Sequence, residues 1–213
     1  GASSFRKQTA EQLLKEVRFD AIRGNISEIK TLASLCGTQE KNSGNMAVSD
    51  TMDVEKITDK SDHCGKITGI DGSGRGVDAD NADTVTEENL AQHISNAKML
   101  SKKLQTIVAI TGAIDLVTDG SSCYVIRNGN PQMEHVTGAG CQLSGILTAF
   151  LAANPENKLQ AAAAAVCMMG YAGELAAEKS GQSGSGTYRV SLMDAVSCMD
   201  GDILERGARY EIR

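Results

Sequence analysis

The first part of the chain contains two patterns of hydrophobic residues: segments with apolar residues every three or four positions, and short runs of consecutive apolar residues. Apolar side chains at helical spacing predict a helix over 7–16, and a short apolar run follows at 19–22. Residues 23–24, arginine and glycine, are expected to turn the chain. Asn25 is the predicted N-cap of a second helix, which Gly37 ends.

Between Gly37 and Gly76 this pattern gives way to glycine, serine, aspartate, asparagine and lysine. No stretch there keeps the period of a helix or a strand. A compact domain rarely contains a structureless loop of this length. We therefore expect a long surface insertion near 37–74, within a single domain over 1–213.

The second half of the chain returns to regular spacing. Predicted helices cover 87–104, 141–153, 157–179 and 190–196, and predicted strands cover 106–111, 116–118, 123–127 and 209–212. Asp119 and Gly120 lie between two of these strands, which indicates a hairpin. Alternating strands and helices predict an α/β fold with a mostly parallel central sheet and helices on both faces.

Composition narrows the class of protein. Of 213 residues, 41% are hydrophobic and 23% charged, the balance of a soluble globular protein. The net charge is -6 and no basic run is present, so we expect no nucleic-acid partner. The six cysteines form no CxxC pair, and residues 1–11 contain no secretory leader. These features predict reduced thiols and a cytoplasmic location.

Two apolar segments raise the question of a membrane span, which takes about 20 apolar residues. The first, 136–155, begins with a polar turn, and the second, 159–173, has only 15 residues before Glu174. We expect neither segment to cross a membrane.

The sequence VTGAGC at 136–141 is the strongest candidate site, because a strand-like end and glycines lead directly into a helix. Backbone N–H groups at a helix start carry partial positive charge, and glycine lets a phosphate approach them. Neither GxxxxGK[ST] nor GxGxxG occurs here. Two interpretations stay open: an anion hole, or a tight structural connection.

Asn25 and Glu28 form an NxxE pair beside Arg23. They either cap the helix with a surface charge nearby, or belong to a Mg²⁺ and phosphate site. Thr111 and Gly112 end a predicted central strand, where ligands bind in open α/β sheets. Simple strand termination is the alternative there.

Five motifs together carry a resemblance to a known family. They are RGNISE at 23–28, RGVDA at 75–79, TIVAITG at 106–112, VTGAGC at 136–141 and SGSGTY at 183–188. In this order they resemble the hydroxyethylthiazole kinases of the ribokinase-like superfamily. The resemblance covers nearly the whole chain outside the insertion and implies a ribokinase-like fold.

The resemblance also implies an activity. Such an enzyme is an alcohol phosphotransferase that uses ATP and Mg²⁺ to phosphorylate 4-methyl-5-(2-hydroxyethyl)thiazole in thiamine biosynthesis and salvage. It implies a cytoplasmic homotrimer with substrate sites at subunit boundaries. The small-molecule thiazole alcohol is then the expected partner.

Site residues follow from the matched motifs. Arg23 and Thr111 match positions that contact ATP, and Glu28, with Asn25, matches the NxxE acid linked to Mg²⁺ through water or phosphate. The turn of Gly138, Ala139 and Gly140 would form the anion hole, and Gly138 also matches a substrate-contacting glycine. Cys141 stands where most ribokinase-like enzymes have an aspartate that accepts the hydroxyl proton. Whether this thiol acts as a base stays open.

Two alternatives remain. Another ribokinase-like enzyme, such as a hydroxymethylpyrimidine kinase or an ATP-dependent nicotinamide-hydrate dehydratase, is the nearest, and Cys141 in place of aspartate argues against it. A non-catalytic oligomerising domain is the alternative from another class. In the family a substantial N-terminal portion precedes the position matched by Gly1, so we expect this chain to be the C-terminal, ATP-binding portion.

Overall fold

A computed structural model describes residues 4–36 and 84–213 of the chain. The predicted insertion near 37–74 and the RGVDA motif at 75–79 lie outside the described residues. The prediction of one domain over 1–213 therefore stays a prediction.

The described chain contains seven α-helices and five strands, which occur largely in blocks: three consecutive strands are followed by four α-helices. The helices are α1 (Ser4–Glu16), α2 (Ile26–Leu35), α3 (Leu90–Leu104), α4 (Ala139–Ala153), α5 (Lys158–Ser180), α6 (Ser185–Ser197) and α7 (Gly201–Gly207). The strands are β1 (Ala21–Gly24), β2 (Ile107–Ile110), β3 (Asp115–Thr118), β4 (Cys123–Ile126) and β5 (Tyr210–Ile212). A short 3-10 helix over Pro131–His135 precedes α4.

The five strands form one sheet in the order β1-β2-β3-β4-β5. Only β1 and β2 run parallel, and the other three pairs are antiparallel. The expectation of a mostly parallel sheet is thus wrong for the described strands. The connections from β2 to β3 and from β3 to β4 are too short for a crossover, which takes a dozen or more residues.

Helices cover both faces of this sheet, as the alternation predicts. One hydrophobic cluster joins the strands to α4, α5 and α6, and a second joins them to α2 and α3. Alanines dominate the buried side of α5, so this helix lies close to the sheet. A Cβ on Gly170 of α5 would come within 2.7 Å of the Asn128 carbonyl oxygen, which shows how close the approach is.

The structure corrects two local predictions. Residues 23–24 belong to β1 rather than to a turn, because the parallel pairing continues to Gly24, which faces Ile110. The helix predicted over 190–196 is longer than expected, since α6 already begins at Ser185. Neither α7 nor the 3-10 helix was predicted, because both are too short to show a clear period.

Among the described residues, α5 is the one helix long and apolar enough to cross a membrane by length and composition. In its most apolar window, 61% of the residues are buried inside the protein. A buried core helix has the same properties, so this observation is weak evidence for a membrane segment.

Candidate functional site

A cavity of about 310 Å³ lies at the carboxyl ends of the parallel strands β1 and β2. Arg23 enters it from β1, and residues 111–113 line it after β2. Residues 127–131 form another wall, and Ala139 and Gly140 close it at the start of α4. Ligands of open α/β sheets bind at this edge.

The start of α4 leaves backbone amides directed outward. Gly138 is the N-cap and has a φ of 92°, a left-handed conformation that favours glycine. Its carbonyl accepts the Gln142 amide at 2.9 Å. The amides of Gly140 and Cys141 lie in the first turn, where a helix offers no acceptor of its own. The geometry of this turn suits an anion.

Arg23 lies directly against this turn. Its Nη1 donates to the Gly140 carbonyl oxygen at 3.2 Å. A Cβ on Gly140 would lie 2.7 Å from the same nitrogen. The guanidinium therefore occupies the space that the missing side chain leaves. The structure thus brings Arg23 together with the predicted glycine turn, across 117 positions of sequence.

Thr111 and Gly112 reach the same cavity at the end of β2. The Thr111 amide donates to the Gly24 carbonyl at 3.0 Å, which extends the pairing of the parallel strands. The Gly112 amide donates to Oδ1 of Asp115 at 2.8 Å. The predicted ATP-contacting residues Arg23 and Thr111 both line the cavity.

Asp115 also lines the cavity, and sequence reasoning missed it. It is only 9% exposed. Burial raises the pKa of this carboxyl to about 7, while its hydrogen bond from Gly112 and the charge of Arg23 act in the opposite direction. A charged residue immediately before an apolar strand was the available signal.

Asn25 and Glu28 form a complete capping box at the start of α2. The Glu28 amide donates to Asn25 Oδ1 at 2.8 Å, and the Asn25 amide donates to Glu28 Oε2 at 2.8 Å. The predicted N-cap is confirmed. Neither residue lines the cavity, and Glu28 packs beside Gly24 whereas the neighbouring Arg23 points toward α4. Successive residues of a strand point to opposite faces, so the two groups flank β1.

The donor set at Asn25 and Glu28 is compatible with Mg²⁺ only in part. Mg²⁺ in kinases binds one or two carboxylates together with water and phosphate oxygens. Glu28 is exposed and offers one such carboxylate. Within residues 4–36 and 84–213, no group of three or more His, Cys, Asp or Glu side chains could hold a metal ion by itself. The pair by itself therefore supplies fewer ligands than Mg²⁺ takes.

Cys141 is exposed at the start of α4, next to the cavity-lining Gly140. The described cysteines all carry free thiols. Cys123 and Cys167 are buried, and burial raises their pKa values to about 11 and about 12 respectively. These two thiols are therefore neutral and pack as small apolar groups.

A network from the C-terminal part of the chain fixes the wall formed by 127–131. Arg209 donates to both carboxylate oxygens of Glu174, each at 2.8 Å. Glu174 Oε1 accepts the Gly129 amide at 2.7 Å and the Asn128 side-chain amide at 3.1 Å. Asn128 also donates to the Gly207 carbonyl at 2.9 Å. No sequence motif pointed to these contacts.

Comparison of the chain with known proteins identifies a family and several relatives of similar sequence. The family model described as "Hydroxyethylthiazole kinase family" matches residues 1–60 and 52–202. A hydroxyethylthiazole kinase of Clostridium acetobutylicum is 42% identical over 212 residues, which are 99% of this chain and 65% of the relative. One from Desulfovibrio desulfuricans is 34% identical over 221 residues, covering 100% of this chain and 65% of the relative.

A solved structure supports the fold. The hydroxyethylthiazole kinase of Pyrococcus horikoshii OT3 matches with a TM-score of 0.70 at 22% identity. The match covers 100% of this chain and 62% of that structure. The expected ribokinase-like fold is thereby confirmed. The chain spans less than two thirds of the length of each of these three proteins.

Proposed function

The chain belongs to the hydroxyethylthiazole kinase family, and on that premise we propose that it forms the ATP-facing part of a thiazole kinase. The reaction transfers the γ-phosphoryl group of ATP to the primary hydroxyl of 4-methyl-5-(2-hydroxyethyl)thiazole, in thiamine biosynthesis. The observation that carries the proposal is the contact between the Arg23 guanidinium and the first turn of α4.

Two sources of positive charge meet at that contact. The guanidinium of Arg23 binds phosphate oxygens through several N–H groups, and the turn of Gly138, Ala139 and Gly140 forms the anion hole at the start of α4. Thr111 lies beside the same phosphate chain and binds ATP with Arg23. Phosphoryl transfer relies mainly on position and charge stabilisation, so these groups supply most of the catalysis.

The acceptor hydroxyl is expected on the outer side of this turn. Gly138 contacts the thiazole alcohol. The exposed thiol of Cys141 belongs to the residue directly after Gly140 in the first turn of α4. The hydroxyl proton leaves during transfer, and Cys141 is the nearest candidate acceptor on this turn. A weak base suffices for a loose transition state.

Mg²⁺ neutralises charge on the β- and γ-phosphates when it is bound. Glu28 and Asn25 at the start of α2 would hold it through water or phosphate oxygens. The capping box fixes the Glu28 side chain in advance, which lowers the entropic cost of ordering it. We propose further that the whole protein is a cytoplasmic homotrimer without a nucleic-acid or membrane partner.

The direct test uses the purified full-length protein with ATP, Mg²⁺ and the thiazole alcohol. We expect stoichiometric formation of ADP and the phosphorylated thiazole, measured by mass spectrometry, and no product without Mg²⁺. Phosphorylation of hydroxymethylpyrimidine instead would favour another ribokinase-like kinase. Absence of ATP turnover with every such alcohol would favour a non-catalytic oligomerising domain.

A further inference from the structure

Asp115 is a buried acidic group in the cavity that is proposed to receive the phosphate chain of ATP. It is 9% exposed, and it begins β3 directly after the turn that follows β2. Glu134 also lines the cavity, but its side chain is exposed. A buried carboxylate close to a phosphate site carries an electrostatic cost that an exposed one largely avoids.

The groups that face Asp115 come from three elements. The Gly112 amide donates to its Oδ1 at 2.8 Å, and the Arg23 guanidinium of β1 acts on it through its charge. From α5, the Cys167 thiol lies near enough to feel the charge of Asp115, but burial raises its pKa to about 12 and keeps it neutral. Arg23 is thus the cation whose charge acts on Asp115.

Two further charged groups line the outer cavity. Arg127 is paired with Glu87 at 3.0 Å and with Glu211 at 2.8 Å, so its charge is largely compensated. Glu134 lies toward solvent. Neither group replaces Arg23 as the partner of Asp115.

We propose that Asp115 controls the charge of this cavity, taking up one proton from solvent when the phosphate chain of a nucleotide binds against Arg23. The proposal rests on the proposed function. No covalent bond changes, because the proton moves from water to a carboxylate oxygen of Asp115. The neutral carboxyl keeps its other oxygen as the acceptor for the Gly112 amide, so the turn at 111–114 is preserved.

The physical reason is competition for one cation. Ionised Asp115 and Arg23 line the same cavity and attract each other through their charges, and an incoming phosphate chain adds negative charge to that cavity. Burial already raises the pKa of Asp115 to about 7, so protonation near neutral pH costs little. By linkage, an anion that raises this pKa further binds more tightly as the pH falls.

The test measures ADP binding by titration calorimetry between pH 6 and 8.5, with EDTA present to exclude divalent cations. The full-length protein is compared with Asp115→Asn, whose amide oxygen still accepts the Gly112 amide. We expect the wild-type Kd to weaken by about tenfold relative to the variant between pH 6 and pH 8. Titration of the ADP phosphates is common to both proteins and cancels in the comparison.

Proton uptake gives a second measurement, which needs no variant. Titrations at pH 8 in buffers of different ionisation enthalpy should show uptake that exceeds that of ADP itself by nearly one proton. Glu134→Gln removes the same formal charge from the exposed part of the cavity. We expect it to retain the wild-type pH dependence.

Two results would overturn the inference. Equal pH dependence in the wild type and Asp115→Asn would mean that Asp115 only closes a turn. Tighter wild-type binding at higher pH would mean that the ionised carboxylate is favoured in the complex. In either case, ADP binding leaves the proposed function intact, whereas absence of ADP binding at every pH, both in EDTA and with Mg²⁺, rejects both.

Discussion

Gly140 is the residue whose missing side chain admits Arg23 to the start of α4. A Cβ there would lie 2.7 Å from Nη1 and 3.0 Å from Nη2 of the guanidinium. We expect Gly140→Ala to displace Arg23 and raise KM for ATP by about 10- to 100-fold, the loss of a charged hydrogen bond. Steady-state kinetics with varied ATP measure this directly.

Gly145 on the same helix provides the matched control. It is exposed, and a Cβ there would meet nothing within 4 Å. Gly145→Ala should leave KM for ATP unchanged and stabilise α4 by about 0.5–1 kcal/mol. If Gly140→Ala behaves in the same way, Arg23 does not need its present position to bind ATP.

Substitution of Cys141 measures how strongly the rate of phosphoryl transfer depends on a general base. We expect Cys141→Ser to lower kcat by less than about tenfold, because positioned general bases that matter contribute about 10²-fold or more. Cys198 is also exposed, at the end of α6, and Cys198→Ser controls for loss of a surface thiol. A loss of 100-fold or more with an altered pH profile would make Cys141 the base.

At the scale of elements, the start of α2 has two functions that can be separated. The capping box stabilises the helix, whereas a role with Mg²⁺ needs the charge of Glu28. Glutamine also completes a capping box. Glu28→Gln should therefore keep the thermal midpoint but weaken the apparent Mg²⁺ affinity by about tenfold, the effect of roughly 1.4 kcal/mol.

The contrasting variant at this helix is Asn25→Ala. It removes the acceptor of the Glu28 amide and should cost about 1 kcal/mol of stability, measured by denaturant unfolding. Unchanged Mg²⁺ dependence in Glu28→Gln would restrict Glu28 to its capping role.

At the scale of the whole molecule, Asp115 links global stability to pH. Burial raises its pKa from the ordinary value of 3.8 to about 7 in the folded protein, so the folded state binds more protons than the unfolded state between these values. The free energy of unfolding therefore falls as pH rises through this window, by on the order of 4 kcal/mol for this group. Above about pH 7 this contribution is constant.

Asp115→Asn removes the titrating carboxyl group and serves as the reference for the pH dependence of the free energy of unfolding. Other carboxyls, such as Glu211 beside Arg127, have lowered pKa values and act in the opposite direction. The difference between the two proteins isolates Asp115. We expect the variant to gain stability relative to the wild type as pH rises from 4 to 8, in urea unfolding at fixed ionic strength. A constant difference would mean that Asp115 titrates normally.

The sequence by itself determined the local features that depend only on residues close together in the chain. The cap at Asn25 and Glu28, the hairpin around Asp119 and the apolar strand over 106–111 each depend on side chains a few positions apart. Shared motifs were enough to identify the family and to predict Arg23 and the turn at 138–140 as site residues.

Tertiary structure alone decided the rest, because it depends on which distant residues become neighbours. The direction of the strands after β2 depends on how they pair. Asp115 is buried because α5 packs over the sheet. The wall at 127–131 is held in place because Arg209 binds Glu174. A linear pattern shows that a carboxyl is present. Its solvation, and therefore its proton affinity, depends on the atoms that folding places around it.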